Sequence, residues 1–442
     1  MSYKLSIVKN KMMKRIINIL ILLCCIASLS SCGNSTEERS RVLKIYNWAD
    51  YIDEDVLAEF PDWYKQQTGE DLRIIYQVFD INEIMLTKIE RGHEDFDVVC
   101  PSEYIIERML RKDLLLPIDR NFGHTPDYIP NVSPYIRHEL NKTSQPERQT
   151  EDYAVPYMWG TAGILFNKKF ITAEEAGTWD ILWDSKNRGK ILMKDSYRDA
   201  YGTAIIYAHA RELADSTVTV EQLMNDNSPQ AIALAEQRLK EMKPNIAGWE
   251  ADFGKEMMTK NKAWINFTWS GDAVWAIEEA DAVGVELDYT VPCEGSNIWY
   301  DGWVIPRYAR NVKAASYFIN YLCQPSVALR NMEAKTDTTL DVHSDLSYFF
   351  GPLPGADSLQ IDPVQYPDRR VVERCAMIRD FGDRTELVLE MWSRVKGDNL
   401  NTGIVLLIFA VFGLLFIWLV YAKIRKYKQK RRHRLRRKRK RG

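Results

Sequence analysis

The sequence predicts an α/β protein of two lobes followed by one C-terminal transmembrane helix. Three observations carry this expectation. Short strand-like apolar runs alternate with helix-like stretches from Val42 onward, a second such series follows a loop-rich stretch from Pro117 to Gln149, and twenty residues from Gly403 to Ala422 carry no charge. At 442 residues, 46% of them hydrophobic and 27% charged, the chain has material for roughly two or three domains. That composition excludes a disordered chain, a small disulfide scaffold and a multi-span transporter.

In the first lobe, Val42 to Trp48 reads as a strand, Asp53 to Gln67 as a helix closed by Gly69, and Leu72 to Phe79 as a second strand. Asn82 then reads as the cap of a helix with Ile84, Met85 and Ile89 on one face, ended by Gly92. Phe96 to Val99 reads as a third strand and Glu103 to Lys112 as a third helix. This rhythm predicts right-handed crossovers and a largely parallel sheet, whose ligands sit beyond the carboxyl ends of the strands. In the second lobe, Thr178 to Trp183 reads as a helix start, Gly189 to Met193 and Ala263 to Thr268 as strands, and Tyr289 to Pro292 as a return toward the first lobe.

The two ends differ sharply from the body. No Asp or Glu precedes Glu37 or follows Asp398, while five Lys or Arg lie up to Cys32 and fourteen from Lys423 onward. Between them, 40 basic residues face all 61 acidic ones, a net charge of −21. A body that acidic suits a cationic ligand, although acidity alone also confers solubility. Lys9, Lys11, Lys14 and Arg15 precede the apolar run Ile16 to Leu29, as in a secretory signal covering residues 1–32. The ending Leu29-Ser30-Ser31-Cys32 resembles a bacterial lipobox, which implies cleavage before Cys32 and acylation of its thiol. Gly403 to Ala422 is long enough to span the roughly 30 Å hydrocarbon layer. Trp418 and Tyr421 lie near its end, and the basic tail 423–442 follows at once. The positive-inside rule places that tail in the cytoplasm and the body outside. A polybasic run directly after a span reads as phospholipid-headgroup binding rather than nucleic-acid binding. Cys100, Cys293, Cys323 and Cys375 have no C-x-x-C spacing and read as buried free thiols.

Enzyme signatures are missing. The sequence has no G-x-x-x-x-G-K-[ST], G-x-G-x-x-G, H-E-x-x-H or G-x-S-x-G motif, and its six His never fall at ligand spacing, so no cofactor or metal is expected. One pairing recurs instead: an aromatic residue beside an acid at a strand end. It appears as Trp48 with Asp50 and Tyr51, Tyr197 with Asp199, Trp269 with Asp272, and Trp299 with Asp301. An organic ammonium with an aliphatic stem suits such a lining, because the charge finds a carboxylate while the methylenes lie against the rings. Paired acids of a surface glycosidase remain open at this point.

The ordered set Trp48-Ala49-Asp50-Tyr51, Tyr76 to Asp80 with Asn82-Glu83, Phe96 to Val99 with Pro101-Ser102, Pro156 to Gly160, Trp269 to Asp272 and Trp299 to Asp301 resembles the periplasmic spermidine/putrescine-binding proteins of ABC importers over about Val42 to Gly397. The resemblance implies a two-lobed periplasmic binding protein fold whose hinged cleft closes on putrescine or spermidine and hands it to ABC permease subunits. It implies no catalysis. It places Trp48, Asp50, Tyr51, Ser102 and Tyr104 on the first lobe's side of the cleft, and has Asp199, Trp269, Asp272, Trp299 and Asp301 supply the remaining acids and rings. Asp272 and Ser196 look like the putrescine-preferring branch. Ala49 departs from a hydroxyl residue usual in the family, Thr336-Asp337 fall near where the family has a late Tyr, and Ile378 departs from a Gln of the spermidine branch. The implied layout is lobe 1 over 42–155, lobe 2 over 156–292, a return to lobe 1 over 293–340 and C-terminal helices on lobe 2 over 341–400. Hinges are expected around Ala154 to Tyr157 and Val291 to Ser296. The expected location is the bacterial inner membrane with the binding body in the periplasm; a membrane-tethered polyamine sensor is the second reading.

Overall fold

A computed structural model describes residues 39–49, 51–333, 364, 367–397, 409–421, 423 and 425. The expected signal, Cys32, Asp50, Thr336 and Asp337 lie outside the described residues, as does most of the basic tail.

The first elements follow directly from the local sequence. Strand β1 (Val42–Trp48) pairs in parallel along its whole length with β2 (Arg73–Phe79). Between them runs helix α1 (Glu54–Thr68). Asp53 caps α1 by accepting from the Val56 N–H, and Gly69 ends it in the left-handed conformation that glycine adopts at least cost. Helix α2 (Asn82–Glu90) begins at Asn82, with Ile81 in the cap position, one residue earlier than the expected start. Met85, Leu86 and Ile89 are buried, but Ile84 is 53% exposed, because it sits about 100° around the helix from Met85. The third strand shrinks to β3 (Val98–Val99), and helix α3 (Glu103–Arg111) follows.

Short β4 (Leu115–Leu116) precedes the long β5 (Ala154–Asn167). The second lobe holds β6 (Ile191–Lys194), α4 (Tyr197–Ala208), β7 (Ile246–Glu250), β8 (Ile265–Trp269), α5 (Ser270–Ala282) and β9 (Leu287–Thr290). Strand β10 (Ile298–Pro306) and α6 (Val312–Leu322) complete the first lobe. The helix expected from Thr178 amounts to one turn, Asp180–Trp183.

The strands form one ten-stranded sheet in the order β2-β1-β3-β10-β5-β8-β6-β7, with β4 beside β10 and β9 beside β5. It is mixed, where a largely parallel sheet was expected. β1 is parallel to β2 and β3, and β6 to β7 and β8, but β5 and β10 are antiparallel to each other and to their remaining neighbours. The antiparallel centre arises because these two strands carry the chain between lobes in opposite directions, so the expected hinge residues 154–157 lie inside β5. A bulge in β10 falls between Asp301 and Gly302. One core packs Leu43, Phe60, Tyr64, Trp303 and Phe318 in the first lobe, and another packs Leu165, Leu192, Met258, Ala276 and Leu287 in the second.

Of the expected 341–400 segment, residues 374–381 lie across both lobes instead of on the second alone. Ala376 pairs with Asn297, Phe381 stacks edge-on against Tyr201, and Arg379 gives a two-pronged ion pair to Glu107 of α3 at 3.1 and 2.7 Å. The four described cysteines are free; Cys100 and Cys323 are buried, but Cys293 is exposed and Cys375 half-buried. A polar turn, Cys293-Glu294-Gly295, carries Cys293 to the surface.

Residues 386–442 form a separate unit. Within it, 409–421 is helical, with Phe409, Phe412, Leu414, Phe416 and Trp418 exposed. Among the described residues no helix is long and apolar enough to cross a membrane. Of the expected span 403–422, residues 403–408 and 422 lie outside the described residues.

Candidate ligand-binding site

The carboxyl ends of the strands converge on a partly open cavity of about 200 Å³ between the lobes. From the first lobe come Trp48 at the end of β1, Tyr51 just beyond it, and Ser102 and Tyr104 at the start of α3. From the second come Asp199 in the first turn of α4, Trp269 at the end of β8 and Asp272 in the first turn of α5. Trp299 and Asp301, two residues apart on β10, reach the cavity from one face of the sheet, while Tyr300 between them is buried on the other. All nine described residues of the expected site therefore line one space. Trp48 and Trp269 meet across the cleft with ring centres 6.0 Å apart, and Phe79 backs Trp48 at 4.5 Å.

The acids do not share one environment. Asp301 Oδ2 accepts from the Tyr51 hydroxyl at 2.8 Å, and its buried Oδ1 has no hydrogen-bond partner among the described residues. Burial pushes the Asp301 carboxyl up to about 6, against the lowering effect of the Ser102 and Tyr51 hydroxyls. Asp199 accepts from Asn297 Nδ2 at 3.0 Å and from Trp269 Nε1 at 3.3 Å, yet burial still raises it. Glu103, its Oε2 accepting from the Tyr300 N–H at 3.0 Å and its Oε1 unpartnered, is also raised by burial. Tyr104 donates to Glu83 at 2.8 Å, and Asn82 Nδ2 donates to Ser102 at 3.0 Å and Tyr104 at 3.3 Å, which fixes the first-lobe wall.

Asp272 is not a free acid. Lys194 Nζ, at the end of β6, donates to Asp272 Oδ2 at 2.7 Å and to the Ala251 carbonyl at 2.9 Å, and lies 3.1 Å from Glu250 Oε1. The same ammonium sits over the Trp269 ring at 4.5 Å. Burial opposes its charge, but Asp272 and Glu250 prevail and hold Lys194 above its ordinary value.

Among the described residues the cavity wall holds nine carboxylates against two lysines, Lys194 and Lys255. The expected site residues did not include Lys194, Glu83, Glu103, Glu250 or Asn297, although Glu83 falls within the family motif. Lys194 ends a strand in Ile191-Leu192-Met193-Lys194, whereas Asp199 and Asp272 lie in the first turns of helices and Asp301 near the amino end of β10; a lysine does not fit a pattern of acids beside rings. Ala49 and Ile378, two of the three departures from the family pattern, also line the wall. Among the described residues no three His, Cys, Asp or Glu side chains are grouped to hold a metal.

A two-lobed α/β protein whose strand ends enclose an acid- and indole-lined space between the lobes is one that captures a small solute. The chain belongs to the bacterial extracellular solute-binding protein family, whose profile matches residues 62–339. The spermidine/putrescine-binding periplasmic protein of Salmonella typhimurium is 26% identical over 369 residues, 81% of this chain and 92% of that one. The putrescine-binding periplasmic protein PotF of Escherichia coli is 29% identical over 297 residues, 65% of this chain and 74% of that one. Among solved structures, the spermidine/putrescine ABC transporter substrate-binding protein PotD of Streptococcus pneumoniae superposes with a TM-score of 0.58 at 28% identity, covering 80% of this chain and 98% of that one.

Proposed function

We propose that the protein is the extracytoplasmic receptor of an ABC importer, capturing putrescine or spermidine in the cleft and delivering it to the permease. One observation carries the reading: indole rings and carboxylates share a single cavity wall, with acceptor oxygens of Asp301, Glu103 and Asn297 left without partners among the described residues. An alkylammonium supplies the donors those oxygens lack, and its methylenes replace water against the rings. The small cavity, below the roughly 300–1,000 Å³ of pockets for drug-sized molecules, suits a slender guest. Like charges on the two lobes repel when the cleft is empty, so a polycation favours the closed arrangement it neutralises.

The roles follow position. Asp301 with Tyr51 and Ser102 binds one ammonium, and Asp50, outside the described residues, is assigned to the same wall by its place after Trp48. Trp48, Trp269 and Trp299 hold the stem. Tyr104 and Asp199 complete the enclosure. The membrane tether forms part of the same proposal: residues 403–422 span the inner membrane, 423–442 bind phospholipid headgroups and Cys32 carries lipid. The uncharged run and the exposed apolar side chains along 409–421 support the span. A tether raises the receptor's effective concentration near a permease in the same bilayer.

Calorimetry on the full chain in detergent, titrated with putrescine, spermidine and a neutral oligosaccharide, tests the reading. Saturable heat with either amine supports it. Heat with the oligosaccharide alone, or with neither amine, overturns it.

A further inference from the structure

The cleft already contains an ammonium of its own. Lys194 is the last residue of β6, paired in register with Glu250 of β7, and only 1% of its side chain is exposed. It donates to Asp272 and to the backbone of Ala251 and forms an ion pair with Glu250 at 3.1 Å, while its charge lies on the face of Trp269. A carboxylate, a second acceptor and an indole face are the surroundings that a polyamine nitrogen seeks. That end of the cleft is thus satisfied from within. Glu250 is held in turn by the Gly254 N–H at 3.0 Å, and Asp272 by its place in the first turn of α5, so the ammonium cannot relax away without exposing two carboxylates. Elsewhere on the cavity wall, Asp301 Oδ1 and Glu103 Oε1 have no such partner among the described residues.

We propose that Lys194 is a specificity-determining residue, filling the position beside Asp272 and Trp269 that the last amine of a long polyamine would take, so that the cleft prefers a diamine to a triamine. The inference rests on the polyamine reading given above and names which member of that class the site selects. Replacing the lysine by methionine keeps most of the stem's volume, removes the charge and returns Asp272 to the cavity as an open carboxylate. A third ammonium then has somewhere to go.

The test compares putrescine and spermidine affinities by calorimetry on the full chain in detergent, for the unaltered protein, K194M and K255M. Lys255 is the other cavity lysine, paired with Asp252 at 2.9 Å and lying over the Trp275 ring, so K255M reports the effect of losing one positive charge from the cavity wall outside the Lys194–Asp272 pair. The expected result is that K194M shifts the affinity ratio toward spermidine by about tenfold or more, the value of one additional charge-assisted contact, while K255M shifts it less. A ratio that stays put in K194M, or moves equally in K255M, overturns the proposal. Removing one member of a buried ion pair can unfold a protein. Should K194M lack a cooperative melting transition, K194M/E250Q, which removes both charges together, carries the same comparison with the same outcomes. If the unaltered protein binds neither amine, the receptor reading itself fails, a result separate from an unshifted ratio between two amines that both bind.

Discussion

Asp301 must be ionised to hold an amine, and burial places its carboxyl at about 6. Amine affinity should therefore be steady above neutrality and about tenfold weaker at pH 5 than at pH 7, as the ionised fraction falls. Calorimetry across that range checks it; a flat profile would remove Asp301 from the contact. The same shift acts on stability in the opposite sense. An unfolded Asp titrates near about 3.9, so the folded protein binds this proton more tightly, and the ligand-free form gains stability as pH falls through 6. Replacing Asp301 by Asn should abolish measurable amine binding yet raise the melting temperature of the empty protein at pH 7. Much at this scale was legible, because an acid beside a ring at a strand end is a local pattern. What was not legible is which acids are already spent. The pairing of Asp272 with Lys194 joins residues 78 apart in the chain, and no spacing rule connects them.

Elements with strong local signals were readable to within a residue or two: β1 from its apolar run, α1 from Asp53 and Gly69. Those set by partners were not. β3 and β4 are two residues each, β3 extended between β1 and β10 and β4 beside β10. Ile84 was assigned inward by hydrophobicity and turned outward by helix geometry. Gly160 in β5 shows an element shaping the site. A Cβ there would run into Ser270 Oγ and the Trp299 ring, so the strand can lie flat beneath the indole only without a side chain. Gly160→Ala should displace Trp299 and weaken amine binding about tenfold or more, with a stability loss of about 1–3 kcal/mol typical of overpacking. Titration and thermal melting read the two effects separately. Unchanged affinity would show that the Trp299 ring does not touch the guest.

For the whole molecule, the proposed anchoring has two independent parts, an acylated Cys32 and a span over 403–422. If the span is real, Cys32→Ala protein should still resist carbonate extraction from membranes; recovery in the soluble fraction would contradict it. The crossing of β5 and β10 between the lobes has another consequence, for the order of assembly. The second lobe is an insertion: β1, β2 and β3 leave the ribosome first, but the strand that closes their sheet, Ile298–Pro306, is made about two hundred residues later. Until it arrives, the early strands expose an unfinished hydrogen-bonding edge, a hazard for mispairing during export. Closure of the amino-terminal sheet is thus a late, long-range event. Refolding should be slow, and the half made first should be the last to acquire protected amides.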